Sequence, residues 1–273
     1  MNMRKLLLFS LLLLCVAVSA TTWIWMRFVE RERIELTEFE LTCADWQGEE
    51  LCFAVITDIH ARPEDGEYLD RVVQMALAQN PHAVLLLGDY LNDHHPHESM
   101  PMEELVQHLK PLTALPCFAV LGNHDYYHGA DEVAAALRSI GIMPLEGGRA
   151  TLRTGGGMID IGGIRCCYTF DTPGAVPQPR AGVPLLLLSH TPVGAQFAHE
   201  DTALVLAGHS HGGQVCWPNG SPIWMADGKT PAEWAAGAVR VQGRLCYVSR
   251  GIGTSTLPIR LFCRPELMLL RVH

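Results

Sequence analysis

The nine cysteines of this 273-residue chain include no C-x-x-C pair, which leaves no thiol pair at a metal-site or redox-motif spacing. Their number is odd and they are scattered, several inside apolar runs. They therefore read as reduced, buried small hydrophobes, which favours a reducing compartment. A basic stripe is also missing. Net charge is −9, with 20 Lys and Arg against 29 Asp and Glu, so a sequence-independent grip on nucleic acid is excluded and no nucleic-acid partner is expected. Internal linkers, repeats and low-complexity stretches are absent too, and the chain reads as one domain behind an N-terminal segment. At 48% hydrophobic it can bury a full core. An acidic chain acting on an anion needs local positive charge, and metal ions are one source of it.

One long apolar run stands out. Leu6–Met26 carries no charge, follows Arg4-Lys5 and precedes the charged stretch Arg27–Glu35. It is long enough to cross a bilayer, with Trp23 and Trp25 at interface depth. Val18-Ser19-Ala20 resembles a signal-cleavage site, but the apolar run continues past it, so an uncleaved anchor with a short linker is expected over residues 1–33. Arg27, Arg31 and Arg33 outnumber Arg4 and Lys5, which leans toward a cytoplasmic domain over residues 34–273.

Ile34–Thr42 alternates and reads as a strand. Strand-like Leu51–Thr57, Ala83–Leu87 and Phe118–Leu121 then alternate with helical Tyr68–Gln79, Met102–Leu109 and Asp131–Ile140, the pattern of a largely parallel sheet. Beyond Ala150 come short strands divided by Gly and Pro: Thr151–Tyr168, Leu185–Ser189, Ala203–Ala207, Arg244–Val248 and Glu266–Arg271. Two packed mixed sheets with helices outside, an α/β sandwich, fit this order.

Each buried strand runs into polar chemistry. Asp58-Ile59-His60, Gly88-Asp89, Gly122-Asn123-His124-Asp125, His190 and Gly208-His209-Ser210-His211 follow five strand ends in turn. Ligands of α/β sheets gather at such ends. If the last turn stayed extended, His209 and His211 would leave the same face. The convergent set is Asp58, His60, Asp89, Asn123, His190, His209 and His211. All are O or N donors, which suits Mn²⁺, Fe or Zn²⁺. Seven ligands are too many for one ion, so two are expected, at roughly 3.5–4 Å and sharing a carboxylate.

The ordered series D-x-H, G-D, G-N-H-D, lone His and G-H-x-H resembles the calcineurin-like metallophosphoesterase superfamily over about Glu50 to Leu269. Gly208–Val215, Tyr247–Ser255 and the N-terminal apolar segment look closest to a membrane-associated bacterial branch. The resemblance implies a four-layer α-β-β-α sandwich, with one ion on Asp58, His60, Asp89 and His211 and a second on Asp89, Asn123, His190 and His209. It further implies phosphoester hydrolysis by a metal-bridging hydroxide, with Mn²⁺ the expected metal. His124 would serve the leaving oxygen, with Asp125 orienting its ring. A lipid-linked pyrophosphate such as UDP-2,3-diacylglucosamine, in lipid A synthesis at the bacterial inner membrane, is the specific substrate expected. A phospholipid or cyclic-nucleotide phosphodiesterase, a phosphoprotein phosphatase and a membrane-tethered metal-bound scaffold are the other readings.

Two motifs are set aside. Gly208–Gly212 matches G-x-S-x-G, but no helix pattern follows the serine as that elbow requires. Gly228-Lys229-Thr230 lacks the upstream glycine of a phosphate loop, because Ile223 stands there. His94, His95 and His97 read as a solvated loop. His128 and Arg250 are possible substrate contacts, and His82, His108 and His199 carry no expected role. Ala61–Gly66 looks long for the family.

Overall fold

Two six-stranded sheets form the protein, in a computed structural model that describes residues 3–92, 98–170, 172–225 and 227–273. The first has the order β1 (Glu35–Leu41), β12 (Glu266–Val272), β2 (Leu51–Ile56), β3 (Ala83–Leu86), β4 (Cys117–Ala119) and β5 (Met143–Pro144). β2 to β5 run parallel, while β12 lies antiparallel to β2. The second has the order β10 (Gly237–Val241), β11 (Arg244–Val248), β9 (Leu204–Ala207), β8 (Leu185–Leu188), β7 (Gly157–Gly163) and β6 (Arg149–Thr154). Its centre is parallel and its two edges are antiparallel.

Alternation along the strands divides the core. Phe53, Val55, Leu85 and Leu87 point between the sheets and meet Leu186, Leu188, Leu204 and Leu206. Ala54, Ile56, Val84 and Leu86 face outward and are covered by α2 (Gly66–Ala78), α3 (Met102–Leu109) and α4 (Asn123–Ile140). β2, β3, β8 and β9 are thus buried on both faces, which is why they read as unbroken apolar runs. The α/β sandwich of two mixed sheets is as expected. Its layers are unequal, however, because the outer face of the second sheet is covered by 3₁₀ turns at Pro192–Phe197 and Ala232–Trp234.

Some elements differ from expectation. The stretch Thr151–Tyr168 is not one strand: β6 and β7 form a hairpin across Gly155-Gly156. α4 starts at Asn123 rather than Asp131. Its first residues are polar and Gly129, at φ 111°, kinks it, so an apolar period is visible only beyond the kink.

α1 (Met3–Ile24) contains no buried residue, and with the turns that extend it to Glu32 it is long and apolar enough to cross a membrane. The charged stretch that follows the apolar run is joined to the domain. Glu30 and Arg31 are buried, Arg31 pairs with buried Asp65, and the amide of Arg260 donates to the Met26 carbonyl at 3.1 Å. The extended loop Ala61–Gly66 supplies Asp65 and also Glu64, which meets Arg27 at 3.4 Å.

Candidate active site

All seven expected donors arrive at the carboxyl ends of five strands, and all but His209 are buried. Asp58 and His60 follow β2, Asp89 follows β3, Asn123 opens α4 after β4, His190 follows β8, and His209 and His211 follow β9. The backbone there is unusual. Asp58, His60, Asp89, His209 and His211 adopt φ between 44° and 72°, the left-handed region that β-carbons disfavour. The extended turn expected at His209–His211 is therefore not what forms. Two left-handed residues curl it so that both rings point inward. Such strain persists where surrounding structure fixes it, and it collects at functional sites.

Glycines make the close approaches possible. A β-carbon on Gly122 would lie 2.1 Å from Asp89 Oδ1, and one on Gly208 2.4 Å from Asp58 Oδ2. The glycines of both motifs are thus required by contact with the candidate ligands.

Three overlapping groups could hold a cation: Asp58, His60 and His211; Asp89, His190 and His209; and, between them, His60, Asp89 and His124. Asp89 Oδ2 lies 3.4 Å from His60 Nε2 and 3.2 Å from His190 Nε2, so one carboxylate faces both imidazoles. Asn123 Oδ1 is 3.2 Å from His190 Nε2, and His209 Nδ1 is 3.2 Å from the same nitrogen. Burial, followed by neighbouring imidazoles, drives His60 and His211 well below the ordinary histidine range, so both are neutral as ligation requires. Their Nε2 atoms face each other at 3.1 Å, while His60 Nδ1 and His211 Nδ1 have no hydrogen-bond partner among the described residues. The Nε2 atoms of His60 and His211 converge with the carboxylates of Asp89 and Asp58, a buried N and O donor set that fits a divalent cation. Between Asp89 and His190 burial opposes both charges and their mutual attraction outweighs it, lowering the carboxyl and raising the imidazole, so His190 ligates a cation only by giving up that proton.

The ring-orienting role expected of Asp125 is not its role here. Its Oδ2 accepts from the amides of Asp89 and Gly122 at 2.8 Å each, and its Oδ1 from Tyr90 at 2.9 Å. It clamps the Asp89 loop to the start of α4. The His124 ring instead packs edge-on against His60, with Nδ1 3.3 Å from the Asn92 carbonyl, which His128 Nε2 also approaches at 3.3 Å. Arg250 is occupied by Glu35 and Glu266 rather than facing the site. His94, His95 and His97 lie outside the described residues.

Asp227 was missed. Its Oδ2 stands 3.1 Å from His209 Nε2, the nitrogen opposite the donor cluster, and it also binds Thr230. A carboxylate behind a ligating imidazole fixes its tautomer and raises its basicity. The only trace in the sequence is an Asp-Gly turn. The neighbouring Lys229 sits 4.3 Å over the Tyr168 ring, which in turn lies against His209.

Asp89, Asn123, His124, His209 and His211 floor a cavity of about 490 Å³. Its lining also includes the polar Tyr127, Tyr168 and Asp227 and the apolar Ile223, Trp224, Met225, Leu257 and Ile259.

This constellation has a match among known proteins. The calcineurin-like phosphoesterase family model covers residues 52–215, and the chain belongs to that family. It is a phosphoester hydrolase with clustered metal-binding residues. Phosphodiesterase YaeI of Escherichia coli (strain K12) is 27% identical over 256 residues, covering 91% of this chain and 92% of YaeI. A Danio rerio transmembrane protein with metallophosphoesterase domain is 29% identical over 80% of this chain, which spans about half (52%) of that relative's length. The structure of calcineurin-like phosphoesterase YfkN from Bacillus subtilis aligns with a TM-score of 0.44 and 13% identity, over 74% of this chain and 82% of that one.

Proposed function

We propose that the chain hydrolyses a phosphate or pyrophosphate ester carried on a membrane lipid, with UDP-2,3-diacylglucosamine as the specific candidate. The observation that carries this reading is the mixed lining of the cavity: the donors Asp89, Asn123, His209 and His211 share it with the apolar Ile223, Trp224 and Leu257. A headgroup phosphate suits the donors and an acyl chain suits the apolar residues. The apolar N-terminal helix supports the same reading.

One ion would be held by Asp58, His60, Asp89 and His211, and the other by Asp89, Asn123, His190 and His209. Mn²⁺ is the first choice, with Fe and Zn²⁺ as alternatives for this N/O donor set. Bound there, the cations supply an activated water at neutral pH and positive charge facing the phosphoryl oxygens. The chain's own groups do the rest. Asp125 holds the Asp89 loop in register, and Asp227 holds the His209 ring. His124, on the cavity floor, is placed to hand a proton to the departing oxygen. The domain is assigned to the cytoplasmic face of a bacterial inner membrane on the arginine excess after the span.

The test is turnover by purified, Mn²⁺-loaded wild type and His124→Ala, with bis-(p-nitrophenyl) phosphate and UDP-2,3-diacylglucosamine in parallel. The lipid nucleotide is expected to be cleaved by wild type and not by the variant. Cleavage of the chromogenic diester alone would keep the chemistry and remove the lipid substrate. No turnover of either, with two metals bound, would favour the scaffold reading.

A further inference from the structure

The cavity wall continues onto the surface in a way the catalytic chemistry does not require. Segments Val215–Met225 and Ser255–Phe262 bear one charged residue between them among those described, Arg260, which is buried, although the chain as a whole carries −9. What they expose is large and apolar: Trp224 is 71% exposed, Trp217 58% and Phe262 52%, with Ile223 and Leu257 alongside. Isolated exposed apolar residues are ordinary, but a contiguous group at a cavity mouth marks an interaction surface.

Its location identifies the partner. The amide of Arg260 bonds to the carbonyl of Met26, at the end of the membrane-length helix. Leu261 then bonds to Gln214, Cys216 to Leu261, and Ile223 to Val215, a ladder of backbone hydrogen bonds from the span to the cavity wall. Neighbouring extended segments lie about 4.8 Å apart, so the ladder keeps Ile223 and Trp224 within a few such spacings of Met26. The junction is fixed by the buried Arg31–Asp65 pair and by Arg27–Glu64 and Arg71–Glu32. Phe28, exposed on the junction itself, extends the apolar surface back to the helix. Tryptophan and phenylalanine on such a surface are the residues that settle at headgroup depth.

We propose that this face lies in the interfacial layer of the bilayer, so that the cavity mouth opens onto lipid and substrate enters from the membrane plane. The immersion stands on the exposed residues and the ladder. The entry route rests on the lipid-substrate reading above.

Two measurements on the full chain in phosphatidylethanolamine–phosphatidylglycerol nanodiscs separate these claims. In discs made with brominated acyl chains, comparison of wild type with Trp224→Phe isolates the Trp224 emission. At least half of it is expected to be quenched, and loss of less than a tenth would overturn the proposal. In the second measurement, Trp217→Glu/Phe262→Glu, two sites that do not line the cavity, is assayed on bis-(p-nitrophenyl) phosphate and on disc-embedded UDP-2,3-diacylglucosamine. Lipid turnover is expected to fall about tenfold with diester turnover unchanged, whereas equal losses on both substrates would contradict the proposal. Quenching of Trp224 without lipid turnover by any variant would uphold the immersed face and reject the lipid substrate.

Discussion

Asp125 and His124 are neighbours in sequence with separate work. Asp125 is buried and takes three amides from two loops, so removing its carboxylate leaves three buried donors unpaired. Asp125→Ala is expected to cost about 3 kcal/mol and to lower Tm by roughly 5–10 °C in a domain of this size. His124→Ala should leave Tm within about 2 °C while cutting kcat by about 10²–10⁴. Calorimetry beside diester turnover checks the pair, and equal Tm losses would contradict the division. Behind His209, Asp227→Ala is expected to weaken metal retention about 10–100-fold, read by metal analysis after dialysis against chelator, with Asp227→Glu partly restoring it. The seven donors were legible because each ends a buried apolar strand. The clamping role of Asp125 was not, because two of its three partners are backbone amides of the distant Asp89-Tyr90 loop, and Asp227 was not, because its side chain first reads as the start of a turn.

At the level of elements, two charged joints hold the N-terminal segment and the last strand in place. Glu266, at the start of β12, is buried and takes the Arg250 amide at 2.7 Å and the Tyr247 hydroxyl at 2.8 Å. Burial alone would raise its carboxyl, but Arg250 and the donated hydrogen bonds outweigh burial and hold it below the ordinary 4.5. A carboxylate held low stabilises the fold above its unfolded value and loses that contribution as pH falls through the folded one. Glu266→Gln is therefore expected to cost about 3 kcal/mol at pH 7 and progressively less in acid. Urea unfolding at neutral pH and near pH 4 checks this, and an equal cost at both would contradict it. The second joint is Arg31–Asp65. Asp65→Asn is expected to release the segment and raise the rate of tryptic cleavage after Arg27, Arg31 and Arg33 at least fivefold. The sequence marks this joint only as an overlong loop after His60, because Arg31 and Asp65 meet through tertiary packing that no local pattern encodes. α4 shows the converse case: its apolar period is clear beyond Gly129, and the polar turn before it hides the helix start.

The whole molecule sets an acidic domain with an inward-curled cluster of O and N donors against an N-terminal helix long and apolar enough to cross a membrane. The two mixed sheets and the convergence of the motifs were legible, since parallel strands must deliver their following residues to one edge, whereas the strand order, with β12 between β1 and β2, was not. The apolar face was not, because uncharged segments rich in Pro and Gly read as ordinary loops until the ladder joins them to Met26. The central claim is that Asp89 serves two cations at once in a phosphoester hydrolase. The most direct measurement is metal content and bis-(p-nitrophenyl) phosphate turnover of wild type and Asp89→Asn, before and after chelation. Two metals per chain, chelator-sensitive turnover, and loss of both bound metal and at least about 10³-fold of the rate in the variant are expected. Undiminished turnover in Asp89→Asn, or in wild type stripped of metal, would contradict the account.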